Sequence, residues 1–322
     1  MRYFVTGGAG FIGSNYVEHL FQNVEGVTGV TIYDKFTYAA NPKNYQEFVR
    51  DPRLSVIKGD ICDSKLLEKS MAGHDFVVHF AAESHVDRSI DDAAAFVETN
   101  VLGTFRVLEA SHKVGISTVI HVSTDEVYGS LSEGSADETY PLKPNSPYAA
   151  SKAASDLLAR SYFVTHGLDV RITRCCNNYG KNQYPEKVIP VFINKLNSGQ
   201  KLPIYGDGMN VREWIHVSDH CRGVQTVLEK GNPGDVYNIG SGLHYSNNDL
   251  ANAILKAMEE DQSMKSYVSD RLGHDFRYSV NTNKMHEMGF EVLTDFQNAL
   301  EATVDWYTKN PTWWTSESSI GK

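Results

Sequence analysis

Cysteine is scarce in this 322-residue chain. The four present, Cys62, Cys175, Cys176 and Cys221, form no CxxC pair, and two of them are adjacent. That excludes a disulfide framework and a clustered thiolate zinc site. Long apolar runs are also missing: nothing approaches the roughly 20 residues that cross a bilayer. No charged stretch followed by an apolar one precedes the strand-like Tyr3-Phe4-Val5, so a signal peptide is not expected either. Basic charge is in deficit, with 30 Lys plus Arg against 40 Asp plus Glu and a formal charge of −10. A nucleic-acid binder held by general phosphate electrostatics is thereby excluded. An anionic ligand would need a local site of a few Arg, Lys and backbone N–H groups. With 25 Gly and 10 Pro the chain has no collagen-like or low-complexity bias. The expectation is a soluble, cytoplasmic protein with no membrane and no nucleic acid among its partners, longer than one domain of about 150 residues.

Through the first half, short apolar runs alternate with helix-length segments, as repeated βαβ units around a parallel sheet require. Arg2–Thr6, Val30–Tyr33, Leu54–Ile57, Asp75–Phe80 and Thr118–Val122 read as buried strands. Gly10–Phe21, Ser64–Met71, Ala93–Lys113 and Ser146–Phe163 read as helices. From about Pro190 the elements shorten and Pro, Gly and Asn increase. These patterns predict an α/β fold: a doubly wound parallel sheet of Rossmann type at 1–175, some later segments returning to it, and a smaller mixed α/β substrate-binding part at 176–322.

Between the first strand and the first helix lies Gly7-Gly8-Ala9-Gly10-Phe11-Ile12-Gly13, with the spacing G-x-x-G-x-x-G. Glycines at Gly7, Gly10 and Gly13 permit a tight turn and let a pyrophosphate approach the N–H groups of the helix start, where the macrodipole favours negative charge. Asp34 follows Gly13 by 21 residues, just after the second strand. That is near the offset of a carboxylate that binds a ribose 2′-hydroxyl, and it would repel a 2′-phosphate. NAD is therefore predicted over NADP, a preference that the cation of Lys35 weakens slightly. Asp60-Ile61, after the third strand, is placed for the adenine end.

Tyr148 and Lys152 stand at i, i+4 in a helical run and so share a face. An ammonium beside a phenol favours phenolate, which predicts a Tyr148 pKa lowered toward neutrality and a general base for an alcohol. Ser123-Thr124 ends the fifth strand at the sheet edge where ligands bind in this architecture, so the Thr124 hydroxyl can position the same alcohol. Loop, Asp34, Thr124, Tyr148 and Lys152 in this order point to alcohol oxidation by a dinucleotide.

The chain resembles the extended short-chain dehydrogenase/reductase family and, within it, the dTDP-glucose 4,6-dehydratases. The motifs that carry the resemblance are Ser123-Thr124-Asp125-Glu126-Val127-Tyr128-Gly129, Asp34-Lys35-Phe36-Thr37-Tyr38-Ala39 and Ala82-Glu83-Ser84-His85-Val86-Asp87-Arg88-Ser89-Ile90. Asn177-Asn178-Tyr179-Gly180, Tyr184-Pro185-Glu186-Lys187, Leu202–Gly208 with Arg212, and Asp270–Asp275 extend it over nearly the whole chain. Relatives with only a hydroxyl pair in place of Asp125 and Glu126 are typically epimerases. The resemblance implies oxidation of the sugar C4 hydroxyl with Tyr148 as base, removal of the C5 proton by Glu126, and protonation of the departing C6 hydroxyl by Asp125. Two adjacent carboxyls in a partly dry pocket can be driven to different protonation states in this way. It further implies that Thr37, Ala81, Ala82, Ser84, Thr99 and Asn178 join the NAD site. Ser84, Asn177, Lys187, Val188, Pro203, Tyr205, Arg212, Asn247, Arg271 and His274 would hold dTDP-glucose. The guanidinium fork of Arg212 and Arg271 suits diphosphate oxygens. A homodimer through the Ala93–Lys113 and Ser146–Phe163 helices is implied by the resemblance alone. The chain departs from the family pattern at Ala40 and Cys176, where Gly and Ser are expected, and at Leu243-His244-Tyr245.

His216 and His220 have the spacing of a metal pair but straddle a strand and a helix start, so no metal is expected. Trp306, Trp313 and Trp314 read as a packing cluster. A nucleotide-sugar 4-epimerase, another nucleotide-sugar dehydratase and a non-catalytic NAD-binding sensor are the alternative functions.

Overall fold

The computed structural model describes residues 1–270 and 272–313. Six strands open the chain: β1 (Arg2–Thr6), β2 (Gly29–Asp34), β3 (Leu54–Lys58), β4 (Phe76–His79), β5 (Thr118–Thr124) and β6 (Val170–Cys175). β7 (Asn177–Tyr179), β8 (Leu202–Tyr205), β9 (Val211–His216), β10 (Val236–Ile239), β11 (His244–Ser246) and β12 (Lys265–Val268) follow. The main sheet has seven strands in the order β10-β6-β5-β4-β1-β2-β3, and every pairing in it is parallel. From β1 the chain winds outward first through β2 and then through β4, so the strand order reverses beside β1. In open α/β sheets a crevice forms at that point, at the carboxyl ends of the strands.

Side chains alternate across the sheet because the strand period is two. Tyr3 and Val5 face a core completed by Tyr16, Val17 and Leu20 of the Phe11–Asn23 helix and Cys221, Val224 and Val227 of the Val217–Lys230 helix. Phe4 faces the opposite core, with Leu67, Met71, Val107, Leu108 and Ala159 from helices on that side. One sequence expectation fails here. β3 is half exposed rather than buried, because it is the last strand of the sheet and pairs on one side only.

A third apolar core joins Ile189, Phe192, Leu202, Trp214, Leu250, Leu300 and Tyr307. It lies under a three-stranded sheet, β11-β9-β7, and a parallel pair, β12-β8. β10 returns to the main sheet beside β6, so residues 236–239 belong structurally with the first 175.

The Ala93–Lys113 segment is not one uniform helix. A short α turn (Ala93–Phe96) gives way to a π segment (Val97–Gly103) before the α-helix Thr104–Val114. The wider turn places the Asn100 amide where it bonds both the Glu83 N–H (2.8 Å) and carbonyl (2.9 Å), and the Ser151 hydroxyl (2.8 Å). Gly103 follows tightly against Ile61, where a Cβ would come within 2.4 Å. Single π turns are characteristic of functional sites, and Thr99, within this one, lines the crevice.

At the C-terminal end, Trp306 and Trp313 pack edge to face at 5.3 Å, and Asn41 Nδ2 donates to the Trp313 carbonyl. Trp314 lies outside the described residues. His216 shares a hydrogen bond with Ser218, whereas His220 is fully buried and driven down to about 3 by burial. No group of three or more His, Cys, Asp or Glu among the described residues is arranged to hold a metal ion. No described helix is long and apolar enough to cross a membrane.

Candidate active site

The crevice at the carboxyl edge of the main sheet is a cavity of about 530 Å³, lined in part by Ile189, Phe192, Ile204 and Trp214 of the third core. Its floor is the glycine turn. Gly7 has φ +68°, and a Cβ there would lie 2.7 Å from the Ala81 nitrogen; one on Gly13 would lie 2.2 Å from the Gly7 carbonyl oxygen. Only glycine fits at either place. The turn closes through Gly10 N–H to Gly7 O (3.1 Å) and delivers the chain into the Phe11–Asn23 helix. That helix has no side-chain cap and no acidic residue in its first turn, so its first N–H groups face the cavity with the positive end of the dipole behind them.

Asp34 ends β2 at the rim of this turn. Its carboxylate accepts from Ala9 N–H (3.0 Å) and Phe36 N–H (2.8 Å), and Phe36 adopts φ +56° beside it. Burial raises the Asp34 pKa, and the two backbone N–H groups oppose that rise. Lys35, expected to soften the preference for NAD, is paired with Asp60 at 2.6 Å. Burial disfavours the Asp60 carboxylate, but Lys35 and the Cys62 N–H outweigh it and the pKa falls. Deeper in, Asn178 Oδ1 is buried without a hydrogen-bond partner. A glycine cradle, an uncapped helix start, a fixed ribose-side carboxylate and an unpartnered amide oxygen fit a dinucleotide.

The reactive side chains come from two elements. β5 runs to Thr124, which caps a short helical turn (Asp125–Tyr128) through Glu126 N–H to Thr124 Oγ1, 3.3 Å. The Pro147–His166 helix, capped by the Ser146 hydroxyl on Ala149 N–H, carries Tyr148 and Lys152 in its first turns. Asp125 is only 3 % exposed. Burial, then the Glu126 and Glu213 carboxylates, push its pKa well above the ordinary range, against a smaller opposing effect of Arg212 and a hydrogen bond from Thr124. Its Oδ2 has no hydrogen-bond partner. It therefore holds its proton to higher pH than an ordinary aspartate does.

Tyr148 corrects the sequence expectation. Its pKa is raised well above the ordinary value by burial and then by Glu126, with Thr124 hydrogen bonding working the other way. Lys152 does share its helix face, but the ammonium donates to the Val122 carbonyl at 2.8 Å, and burial lowers its own pKa to about 8. The polypeptide alone thus holds a phenol, because burial and the Glu126 carboxylate outweigh the Thr124 hydrogen bond.

The upper wall is basic and aromatic. Arg212 is buried rather than solvated: it donates to the Val211, Phe276 and Asp275 carbonyls and lies 4.3 Å over the Tyr278 ring. Lys187 Nζ donates to the Ser84 carbonyl at 2.6 Å. His274 pairs with Asp270 and meets Tyr205 edge to face.

Every described residue that the sequence singled out for NAD, for the substrate or for catalysis lines this one cavity; Arg271 lies outside the described residues. Sequence reasoning missed Glu83, His85, Gln183, Glu186 and Tyr278 on the same wall. Glu83, His85 and Glu186 sit inside motifs already quoted. Tyr278 carries no local signal, and only the fold brings its hydroxyl to Asp275 (2.6 Å) and its ring under Arg212.

A doubly wound sheet with a glycine cradle and a Thr–Asp–Glu/Tyr–Lys constellation defines a dinucleotide-dependent enzyme of nucleotide sugars. The chain belongs to the GDP-mannose 4,6 dehydratase family, whose pattern matches residues 4–306. It is 50% identical over 320 residues to a dTDP-glucose 4,6-dehydratase of Actinoplanes sp., covering 98% of this chain and 100% of that one. A second, from Streptomyces niveus, is 51% identical over 318 residues, covering 98% and 95%. The structure superposes with a TM-score of 0.96 on DesIV, a dTDP-glucose 4,6-dehydratase from Streptomyces venezuelae solved with NAD bound (51% identity, 98% and 99% covered). UDP-glucose 4-epimerase from Thermotoga maritima is more distant, with 28% identity, a TM-score of 0.89 and 97% and 100% covered.

Proposed function

We propose that this chain dehydrates dTDP-glucose to its 4-keto-6-deoxy product with NAD held in the glycine cradle. The observation that carries the reading is Asp125: a buried carboxyl with a raised pKa and an unpartnered oxygen, next in sequence to Glu126 and in one cavity with Thr124 and Tyr148. An epimerase does not eliminate water and has no use for that proton. NAD, held by the glycine cradle, Asp34 and Asn178, would supply the two-electron acceptor for C4 and donor for C6, and a positive charge that favours ionisation of the phenol. Tyr148, oriented by Thr124 and ionised when that positive charge is present, would take the C4 hydroxyl proton; it loses that proton to solvent, and solvent re-protonates Asp125, which resets the site. Glu126 takes the C5 proton that the new ketone acidifies, and Asp125 protonates the C6 hydroxyl so that it leaves as water. Glu126 then returns its proton to C5. Lys187, Arg212 and Arg271 serve the diphosphate; Val188, Pro203, Tyr205, Asn177, Asn247 and His274 serve the rest of the nucleotide. Incubation with dTDP-glucose and mass spectrometry tests this. A product lighter by one water, absent with Tyr148→Phe, is expected; an unchanged mass with inverted C4 means epimerisation, and no change with any nucleotide sugar means a sensor.

The assembly that fits is a homodimer. On the Pro147–His166 helix Leu157 (60%) and Val164 (62%) are exposed, with Val97 (56%) and Leu102 (42%) exposed on the neighbouring segment. Large apolar side chains exposed together mark an interface, and a second copy would cover them. Leu157→Glu with Val164→Glu should give a monomer by light scattering. Four free cysteines suit a reducing cytoplasm.

A further inference from the structure

Behind Tyr148 and Lys152 lies a set of buried charges that the dehydration chemistry does not use. One turn beyond Lys152, Asp156 accepts from Arg174 Nε of β6 at 2.9 Å, and its other oxygen lies 3.3 Å from His121 Nε2 of β5. The Arg174 guanidinium continues to the Tyr128 hydroxyl at 2.9 Å and covers the Tyr128 ring at 4.8 Å; that hydroxyl donates to Asn238 Oδ1 at 2.7 Å. Asp156, Arg174 and Tyr128 are all buried. Tyr128 closes the turn that begins at Asp125. The strut therefore joins the helix of Tyr148 and Lys152 to the turn of Asp125 and Glu126. A buried ion pair is seldom more stabilising than apolar side chains of equal volume, so its place directly under a reactive lysine calls for another role.

Building on the dehydratase reading, we propose that Asp156 and Arg174 are positioning residues: Arg174 clamps the Asp125–Tyr128 turn to the catalytic helix, and the Asp156 carboxylate keeps Lys152 an ammonium. The surroundings of Lys152 support this. His79 of β4 and His121 of β5 are held neutral by burial. The Cys175 thiol of β6 is pushed up to about 12 by burial, and Tyr148 stays a phenol. Asn100 reaches the helix as a neutral amide through Ser151. Burial works against the Asp156 carboxylate, but His121 and Arg174 outweigh it and keep it charged. Asp156 is then the main negative charge acting against the burial of Lys152.

The test compares Asp156→Asn, Asp156→Glu and Arg174→Gln with the parent in NAD-loaded protein. Two readouts are followed: the pH profile of kcat for dTDP-glucose, and the NMR titration of ε-13C-labelled lysine. Asp156→Asn should move the Lys152 titration and the alkaline limb of kcat down by roughly one unit, with KM unchanged; Asp156→Glu should restore most of it. Arg174→Gln should lower kcat without that downward shift. If Asp156→Asn does not fold, Asp156→Asn combined with Arg174→Gln removes both charges and should show the same shift. A folded variant without the Asp156 charge whose Lys152 titrates as in the parent overturns the proposal. A parent that converts no dTDP-glucose overturns the dehydratase reading instead, and the lysine titration still decides this one.

Discussion

Replacing Gly13 by alanine places a Cβ 2.2 Å from the Gly7 carbonyl oxygen and 2.9 Å from the Gly8 Cα. Both neighbours are backbone, so no side chain can swing aside. Either the Gly7–Gly10 turn or the helix start must move by roughly 1 Å to reach ordinary contact. Hydrogen bonds lengthened by that much leave the useful range of about 2.7–3.2 Å. If two N–H groups lose an ionised phosphate oxygen, at about 1.5–3 kcal/mol each, NAD binding weakens by roughly 10²- to 10⁴-fold. The strain on the empty protein should be smaller, about 1–3 kcal/mol, as for other overpacked sites. Gly115→Ala is the control. Gly115 also has positive φ (+75°), but nothing lies within 4 Å of its Cβ position, so it should cost about 1–2 kcal/mol of backbone strain and leave NAD alone. NAD content of the purified proteins, calorimetric NAD titration and thermal melting distinguish the two. A Gly13→Ala protein that binds NAD within about threefold of the parent would refute the argument that backbone approach at this glycine builds the cradle.

Two further outcomes follow from buried titratable groups. Asp125 has a folded-state pKa above its unfolded value, so its cost to stability is absent at low pH and grows as pH rises past the ordinary carboxylate range. Asp125→Asn should therefore raise the melting temperature at pH 7 but not near pH 3, while abolishing water loss; an equal gain at both pH values would contradict the assignment. His220 behaves in the opposite sense. Its pKa is lowered from 6.5 to about 3, so its contribution is fully present above 6.5 and is lost as pH falls toward 3. Between pH 6.5 and 5 that amounts to about 2 kcal/mol. His220→Leu should remove this slope in urea titrations; an unchanged pH dependence would place the acid sensitivity elsewhere.

The chain by itself determined what depends on short-range periodicity and spacing. Alternation set which of Tyr3, Phe4 and Val5 face each core, the glycine spacing set the cradle between β1 and its helix, and i, i+4 set Tyr148 and Lys152 on one face. The exceptions are equally physical: β3 lost its burial as the edge of the sheet, and the Ala93–Lys113 helix widened at Asn100 to reach Glu83 and Ser151. Only the tertiary structure decided the electrostatics. Lys152 donates to the carbonyl of Val122, Lys35 is occupied by Asp60, and Tyr148 is held as a phenol. Glu213, far along the chain, helps to keep the Asp125 proton in place. Spacing along a chain says which groups can meet across one helical turn. A pKa depends on burial and on every charge brought near by folding, and among those neighbours Glu213 lies 88 residues from Asp125.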